Sequence, residues 1–346
     1  MTPAWQTFLS TQGAQTDAQG ALHFGVVADE LTAARSGLVL ADLSHFGLIA
    51  FSGEDSLAFL QSQITNDLRG QSPNQAVFAG YCTAKGRLQA NFLVLRQADD
   101  YLLMLPEGLR ETLQKRLSMF ILRSKTRARD AGAEWVRLGL SGPRARALLT
   151  QVWGSAPAAG LGVLQHADGL AMGLAIGLAE ERFDLLVSPE AAPALWQALR
   201  AEARPIGHTA WDALLVDAGI PTLLPATFEA FTPQMVNMEV LHGVSFNKGC
   251  YPGQEVVART QYLGKVKRRM FLAHVEAAAT PGTHLFSSAV PGQDCGMIVN
   301  VTPTTNGGHD CLAVVRLDAW ESGDVRLGDP QGPQLIARPQ PYTLPE

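Results

Sequence analysis

Apolar positions along the chain switch repeatedly between the two periods that mark helices and strands. Leu109, Leu113, Leu117, Phe120 and Ile121 recur at helical spacing behind Pro106-Glu107, a pair suited to opening a helix, so a helix is expected there. Leu148 and Leu149 close a second helical stretch opened by Ser141-Gly142-Pro143. The short apolar runs 170–177 and 183–188 flank the polar Glu180-Glu181-Arg182, which reads as a hairpin. After about Val266 the texture changes: Gly282, Gly292, Gly296, Gly307-Gly308, Gly323 and Gly328 interrupt runs such as Met297-Ile298-Val299. Short strands with turn signals at that spacing predict a small all-β domain, a sandwich or barrel. The whole is a mixed α and β fold.

The pattern also repeats. Ser52-Gly53-Glu54-Asp55-Ser56-Leu57-Ala58-Phe59-Leu60 is echoed by Ser141-Gly142-Pro143-Arg144-Ala145-Arg146-Ala147-Leu148-Leu149. Later, Tyr101-Leu102-Leu103-Met104-Leu105-Pro106-Glu107 is echoed by Phe183-Asp184-Leu185-Leu186-Val187-Ser188-Pro189-Glu190. Two echoes in the same order predict two related α/β modules.

At 346 residues the length suits two domains, and 47% hydrophobic with 17% charged residues suits a sizeable core rather than a disordered chain. The net charge of −5 gives no global field toward nucleic acid, so any such partner needs a local patch. No basic start with an apolar run follows Met1, and the longest apolar stretch, 169–179, is too short to span a bilayer, so a cytoplasmic location is expected. Cys82, Cys250, Cys295 and Cys311 lie far apart and read as reduced thiols; their spacing, and that of the eight histidines, predicts no metal site. No G-x-G-x-x-G or P-loop is present.

Candidate chemistry concentrates in 245–259. Pro252-Gly253 makes a turn and 254–260 reads as a short helix, which puts Cys250 just ahead of a helix N-terminus with Lys248 two residues away. Amide N–H groups and a cation both favour a thiolate; a packed, inert cysteine fits the same spacing, and both readings stand open. Basic residues cluster at Lys115, Arg116, Arg123, Lys125, Arg127 and Arg129, and again at Lys265, Lys267, Arg268 and Arg269. They read either as solvated faces or as a dock for acidic groups, and the alternation over 123–129 would set its cations on one face of a strand.

Lys248-Gly249-Cys250-Tyr251-Pro252-Gly253-Gln254-Glu255 resembles the K-G-C-[FY]-x-G-Q-E signature of the YgfZ family, folate-binding proteins related to the T-protein of the glycine cleavage system. Ala218-Gly219-Ile220-Pro221, Gly243-Val244-Ser245-Phe246, Thr65-Asn66-Asp67 and Ala84-Lys85-Gly86-Arg87 extend the resemblance over nearly the whole chain. It implies an α+β, T-protein-like fold: two interleaved α/β subdomains within 1–262 around a folate cleft, then a C-terminal β-barrel over 263–346. It implies a tetrahydrofolate-binding accessory protein for assembly or repair of iron–sulfur enzymes, indirectly supporting tRNA methylthiolation, with such enzymes as partners. By the same resemblance Cys250 is the functional thiol, accompanied by Lys248, Gln254 and Glu255, while Phe46, Trp211 and Arg259 are expected at the folate. Phe46 stands where the family has a second tryptophan, which keeps a stacking face and loses an N–H donor. Ala90 and Asn91 stand where the T-protein has acidic residues, so aminomethyl transfer is not expected. A folate-dependent one-carbon transferase or demethylase is the alternative function, and the basic stretches leave tRNA or a folate glutamate tail as candidate ligands.

Overall fold

The computed structural model describes residues 1–173, 181–262, 264 and 266–345. The chain separates into two compact units, each assembled from several segments. The first takes Met1–Ser56, Gly70–Val77 and Leu93–Leu214; the second takes Leu57–Arg69, Phe78–Phe92 and the chain from Leu215 onward.

In the first unit a six-stranded sheet runs Val163–His166, Gly169–Gly173, Arg182–Val187, Val136–Ser141, Val39–Asp42, Arg204–Ile206 in spatial order. Its last pair is parallel and the others are antiparallel. Strand alternation sends Leu138, Leu140, Phe183, Leu185 and Val187 to one face. There they meet Trp5, Leu148, Leu149 and Trp196 from the helices Pro3–Thr11, Ala145–Trp153 and Ala192–Arg200. The same alternation sends Arg137, Arg182 and Asp184 to the other face.

A second sheet contributes Asp100–Pro106, Phe46–Ser52 and Arg127–Asp130 to this unit, with Arg127–Asp130 at its edge. The two sheets share a core of Leu48, Leu102, Met104, Leu170, Met172 and Leu186.

The echoed segments share local geometry. Phe46–Ser52 pairs antiparallel with Asp100–Pro106 as Val136–Ser141 pairs with Arg182–Val187. The glycines that follow the two leading strands are interchangeable in geometry. Gly53 (φ +119°) and Gly142 (φ +108°) both take left-handed backbone, and an added Cβ would lie 2.2 Å from the Lys125 carbonyl oxygen and 1.9 Å from that of Gly37, respectively.

In the second unit six antiparallel strands curl into a half-barrel, ordered Arg326–Leu327, His284–Phe286, Gly296–Pro303, His309–Arg316, Arg268–Val275, Ile336–Ala337. Its interior holds Cys295, Ile298, Cys311, Ala313 and Val315. One short helix, Leu317–Glu321, interrupts the otherwise β texture.

Three expectations need adjustment. The helix behind Pro106 is Glu107–Ser118, so Phe120 and Ile121 fall past its end although their spacing continues it. Gly169–Gly173 and Arg182–Val187 are antiparallel neighbours as a hairpin requires, but the connecting 174–180 lies outside the described residues. The basic strand begins only at Arg127, because Lys125 and Thr126 are tied to the turn 53–56: the Lys125 amide donates to Asp55 Oδ2 (2.6 Å), and Ser56 Oγ and Thr126 Oγ1 are 2.7 Å apart.

Gly142→Ala combines a forbidden φ with a backbone clash and should lower unfolding free energy by about 3 kcal/mol. Gly154→Ala has a positive φ but open space and should lose only about 1 kcal/mol. Urea unfolding of the two variants checks the difference; equal losses would refute the close-approach argument.

Candidate functional site

In the second unit the signature segment is built around two backbone approaches. Gly253 (φ +81°) would place a Cβ 2.4 Å from the Thr83 carbonyl oxygen, and Gly86 (φ +70°) would place one 3.1 Å from the Val256 side chain. The turn at Thr83–Arg87 therefore sits directly against the start of the helix Gln254–Tyr262.

Lys248 is buried, and its ammonium group donates to the carbonyl oxygens of Gln61 (2.7 Å), Ile64 (2.6 Å) and Asn66 (2.9 Å). It also lies 5.2 Å from the Tyr251 ring centroid, and burial pulls its pKa down to about 8. All three N–H donors are engaged, so this lysine acts as a clasp on 61–66.

Cys250, by contrast, is exposed. The other three thiols are buried, and burial pushes Cys82 and Cys311 up to about 12 and Cys295 up to about 11. Gln254 Nε2 donates to the Lys248 carbonyl at 3.4 Å. Glu255 and Arg259, four residues apart on the helix, are both exposed.

Asn91 is consumed structurally: its Nδ2 donates to the Pro221 carbonyl (2.6 Å) and its Oδ1 accepts from the Leu223 amide (3.0 Å). Ala90 is fully buried.

In the first unit Phe46 and Trp211 join one apolar cluster with Leu31, Val39, Leu43 and Ile206. Trp211, on the helix His208–Asp217, is 1% exposed. It fits because position 139 is glycine, where a Cβ would lie 2.4 Å from its ring.

Charged groups that sequence reasoning had not singled out surround this tryptophan. The Arg182 guanidinium lies over the Trp211 ring, 5.5 Å from its centroid. Arg182 is fully buried, none of its three side-chain nitrogens has a hydrogen-bond partner among the described residues, and burial pulls its pKa down to about 10. Asp184, two residues along the same strand, is buried with Oδ1 unpartnered among the described residues, and burial pushes its pKa up to about 7 against the pull of Arg182 and His45. Each such buried atom costs about 1–3 kcal/mol unless something meets it. The sequence pattern assigns Arg182 to the polar turn 180–182, yet it is the first residue of the strand Arg182–Val187; the signal in the sequence is its spacing of two from Asp184.

Histidines complete the neighbourhood. His208 Nδ1 accepts from the Leu22 amide (3.3 Å), which leaves the proton on Nε2, 3.3 Å from Asp42 Oδ2. Asp42 is wholly buried, which opposes its charge. Even so, hydrogen bonds from His208, Ser44 and Trp5 hold its carboxyl below the usual range. The His45 ring is tilted against the His208 ring at 4.1 Å and against Phe46 at 4.5 Å, with Nε2 3.1 Å from Asp212 Oδ1 and Nδ1 buried without a partner among the described residues. A cavity of about 260 Å³ opens beside the two imidazoles, bordered by Gln6, Ser10, Ser44 and Glu107.

Three comparisons bear on this arrangement. The model of the GCVT N-terminal domain matches residues 8–248. Proteins named "tRNA-modifying protein YgfZ" are similar over most of their length. That of Shigella boydii is 33% identical over 90% of this chain and 96% of its own, and that of Klebsiella pneumoniae 31% identical over 90% and 95%. The aminomethyltransferase T of the glycine cleavage system from Bartonella henselae superposes with a TM-score of 0.79, covering 99% of this chain and 98% of that one at 19% identity. The fold is therefore that of the T-protein, and the chain belongs to the YgfZ family of GCVT-domain proteins.

Proposed function

We propose that this protein binds a tetrahydrofolate and serves as an accessory factor in assembling or repairing iron–sulfur enzymes, through which it supports tRNA modification. The observation that carries the folate reading is the buried Arg182–Asp184 couple beside Trp211 and Phe46, with polar atoms that no group among the described residues meets. A reduced pterin presents a flat ring with an amide edge, donors next to acceptors. Asp184 would accept from its N–H groups and Arg182 would donate to its carbonyl oxygen, while Trp211 holds the guanidinium from behind and half-buried Phe46 offers the stacking face. The residues present thus fit the group. The thiol reading rests on exposure: Cys250 is the one cysteine of four that a client can reach without local unfolding. With Ala90 and Asn91 carrying no carboxylate, and the Asn91 amide committed to Pro221 and Leu223, aminomethyl transfer has no acid or base at that position.

Anaerobic titration with tetrahydrofolate, followed by tryptophan fluorescence, should give a Kd of about 1 μM, near −8 kcal/mol. Phe46→Ala and Asp184→Asn should each weaken it at least tenfold, about 1.4 kcal/mol; unaltered binding in both would reject this site. Only the ionised carboxylate accepts ligand N–H groups through both oxygens, so affinity should rise with pH through about 7, the Asp184 value, and level off above it. Asp184→Asn should flatten that profile.

Cys250→Ala should abolish rescue of iron–sulfur enzyme activity in a strain lacking the protein while leaving the melting temperature unchanged; full rescue would remove the thiol from the function. Lys248→Met should behave oppositely, lowering stability by about 3 kcal/mol in urea because three buried carbonyl groups lose their donor.

A further inference from the structure

Between Glu111 and Asp130 the chain carries Lys115, Arg116, Arg123, Lys125, Arg127 and Arg129 and no acidic residue, in a protein of net charge −5. The structure sorts these cations. Arg129 is half-buried and paired with Asp100 and Glu134, both at 2.8 Å, and so belongs to the framework. Lys115 and Lys125 make pairs with Glu111 and Glu54 in which both partners are exposed, contacts of little strength. Arg116, Arg123 and Arg127 are exposed with no ion pair among the described residues.

Apolar groups share the same surface. Because the helix ends at Ser118, Phe120 (43% exposed), whose spacing continues the helix, stands in solvent, as do Met119 (59%) and Leu122 (86%). The Arg116 guanidinium lies 5.4 Å from the Phe120 ring centroid, so an aromatic face is already paired with a planar cation. The segment is also held in shape. Asp55 N and Oδ2 bracket the Lys125 peptide, Ser56 meets Thr126, and Gly53 packs on the Lys125 carbonyl.

We propose that this face of the first unit, centred on Arg116, Phe120, Arg123 and Arg127, binds RNA directly, with guanidinium groups on phosphates and an unpaired base stacked at Phe120. This goes beyond the function above, in which support of tRNA modification needs no contact with RNA. Polyanion is the occupant that charge complementarity selects. Among polyanions, a narrow RNA strand can follow the unpaired arginines alone, whereas a flat anionic bilayer would also meet the exposed carboxylates Glu54 and Glu111 beside them. Planar guanidinium groups beside an exposed aromatic ring are the elements of a base-stacking platform.

The test is fluorescence anisotropy with an unmodified tRNA transcript and the full-length protein from 25 to 300 mM salt. Binding should weaken with salt at a log–log slope of about −2 to −3, as three phosphate contacts give. Arg116→Glu/Arg123→Glu/Arg127→Glu together should reduce affinity at least thirtyfold and flatten the slope. Phe120→Ala should reduce it about fivefold or more with the slope intact, since stacking carries no counterion term. Circular dichroism melting confirms that the variants fold, and retained tetrahydrofolate binding separates this result from any failure of the folate reading. The proposal is overturned by absence of tRNA binding at 25 mM salt, or by a triple variant that binds as well as the parent. It also fails if polyglutamate competes as well as RNA and Phe120→Ala changes nothing, or if phosphatidylglycerol vesicles bind at this face and tRNA does not.

Discussion

Asp42 is a negative charge with no access to water, and the first unit is arranged to answer it. A carboxylate in that position is tolerable only if its lone pairs are met by donors of fixed geometry. Trp5 supplies an indole N–H from the first helix, Ser44 supplies its amide and hydroxyl from the turn beyond the strand, and His208 supplies Nε2 from the start of a late helix. Three elements far apart in sequence are thereby fixed at one point. The constraint propagates: the Leu22 amide and Asp42 together set the His208 tautomer, the His45 ring leans against that ring, and Phe46 follows His45 directly in the chain. Phe46 thus inherits its position, through His45 and His208, from a residue that would itself touch no ligand.

Most of the architecture was legible. The echo between 52–60 and 141–149 is visible because both segments need glycine at a strand-to-helix corner, and a corner that excludes Cβ leaves a mark in sequence. The half-barrel was visible because its turns are glycine-rich. What failed was local: apolar spacing carried the helix past Ser118, since periodicity reports where a side chain could be buried and not whether a neighbour is present to bury it.

Site legibility divides in the same way. The signature segment announces itself by unusual residue types in a fixed order, and the structure shows why several are required. Gly253 and Gly86 allow backbone contact, and Lys248 gathers three carbonyl groups. Arg182 and Asp184 did not announce themselves, because two charges in an apolar strand acquire meaning only when the strand proves to be interior on both faces. Their surroundings come from Gly139, Trp211 and His45, each on a different element. Tertiary assembly, not spacing, makes that couple chemically notable.

The distribution of sulfur in the second unit has a redox consequence. Cys82, Cys295 and Cys311 are enclosed and Cys250 is in solvent, so oxidation of Cys250 meets no resolving partner within the native fold. A sulfenic acid formed there persists until a thiol from another molecule arrives, and every disulfide it forms joins two molecules. Trapping with a low-molecular-weight thiol would yield one adduct per chain, and a mixed disulfide with a client would have a single, unambiguous attachment point on this side.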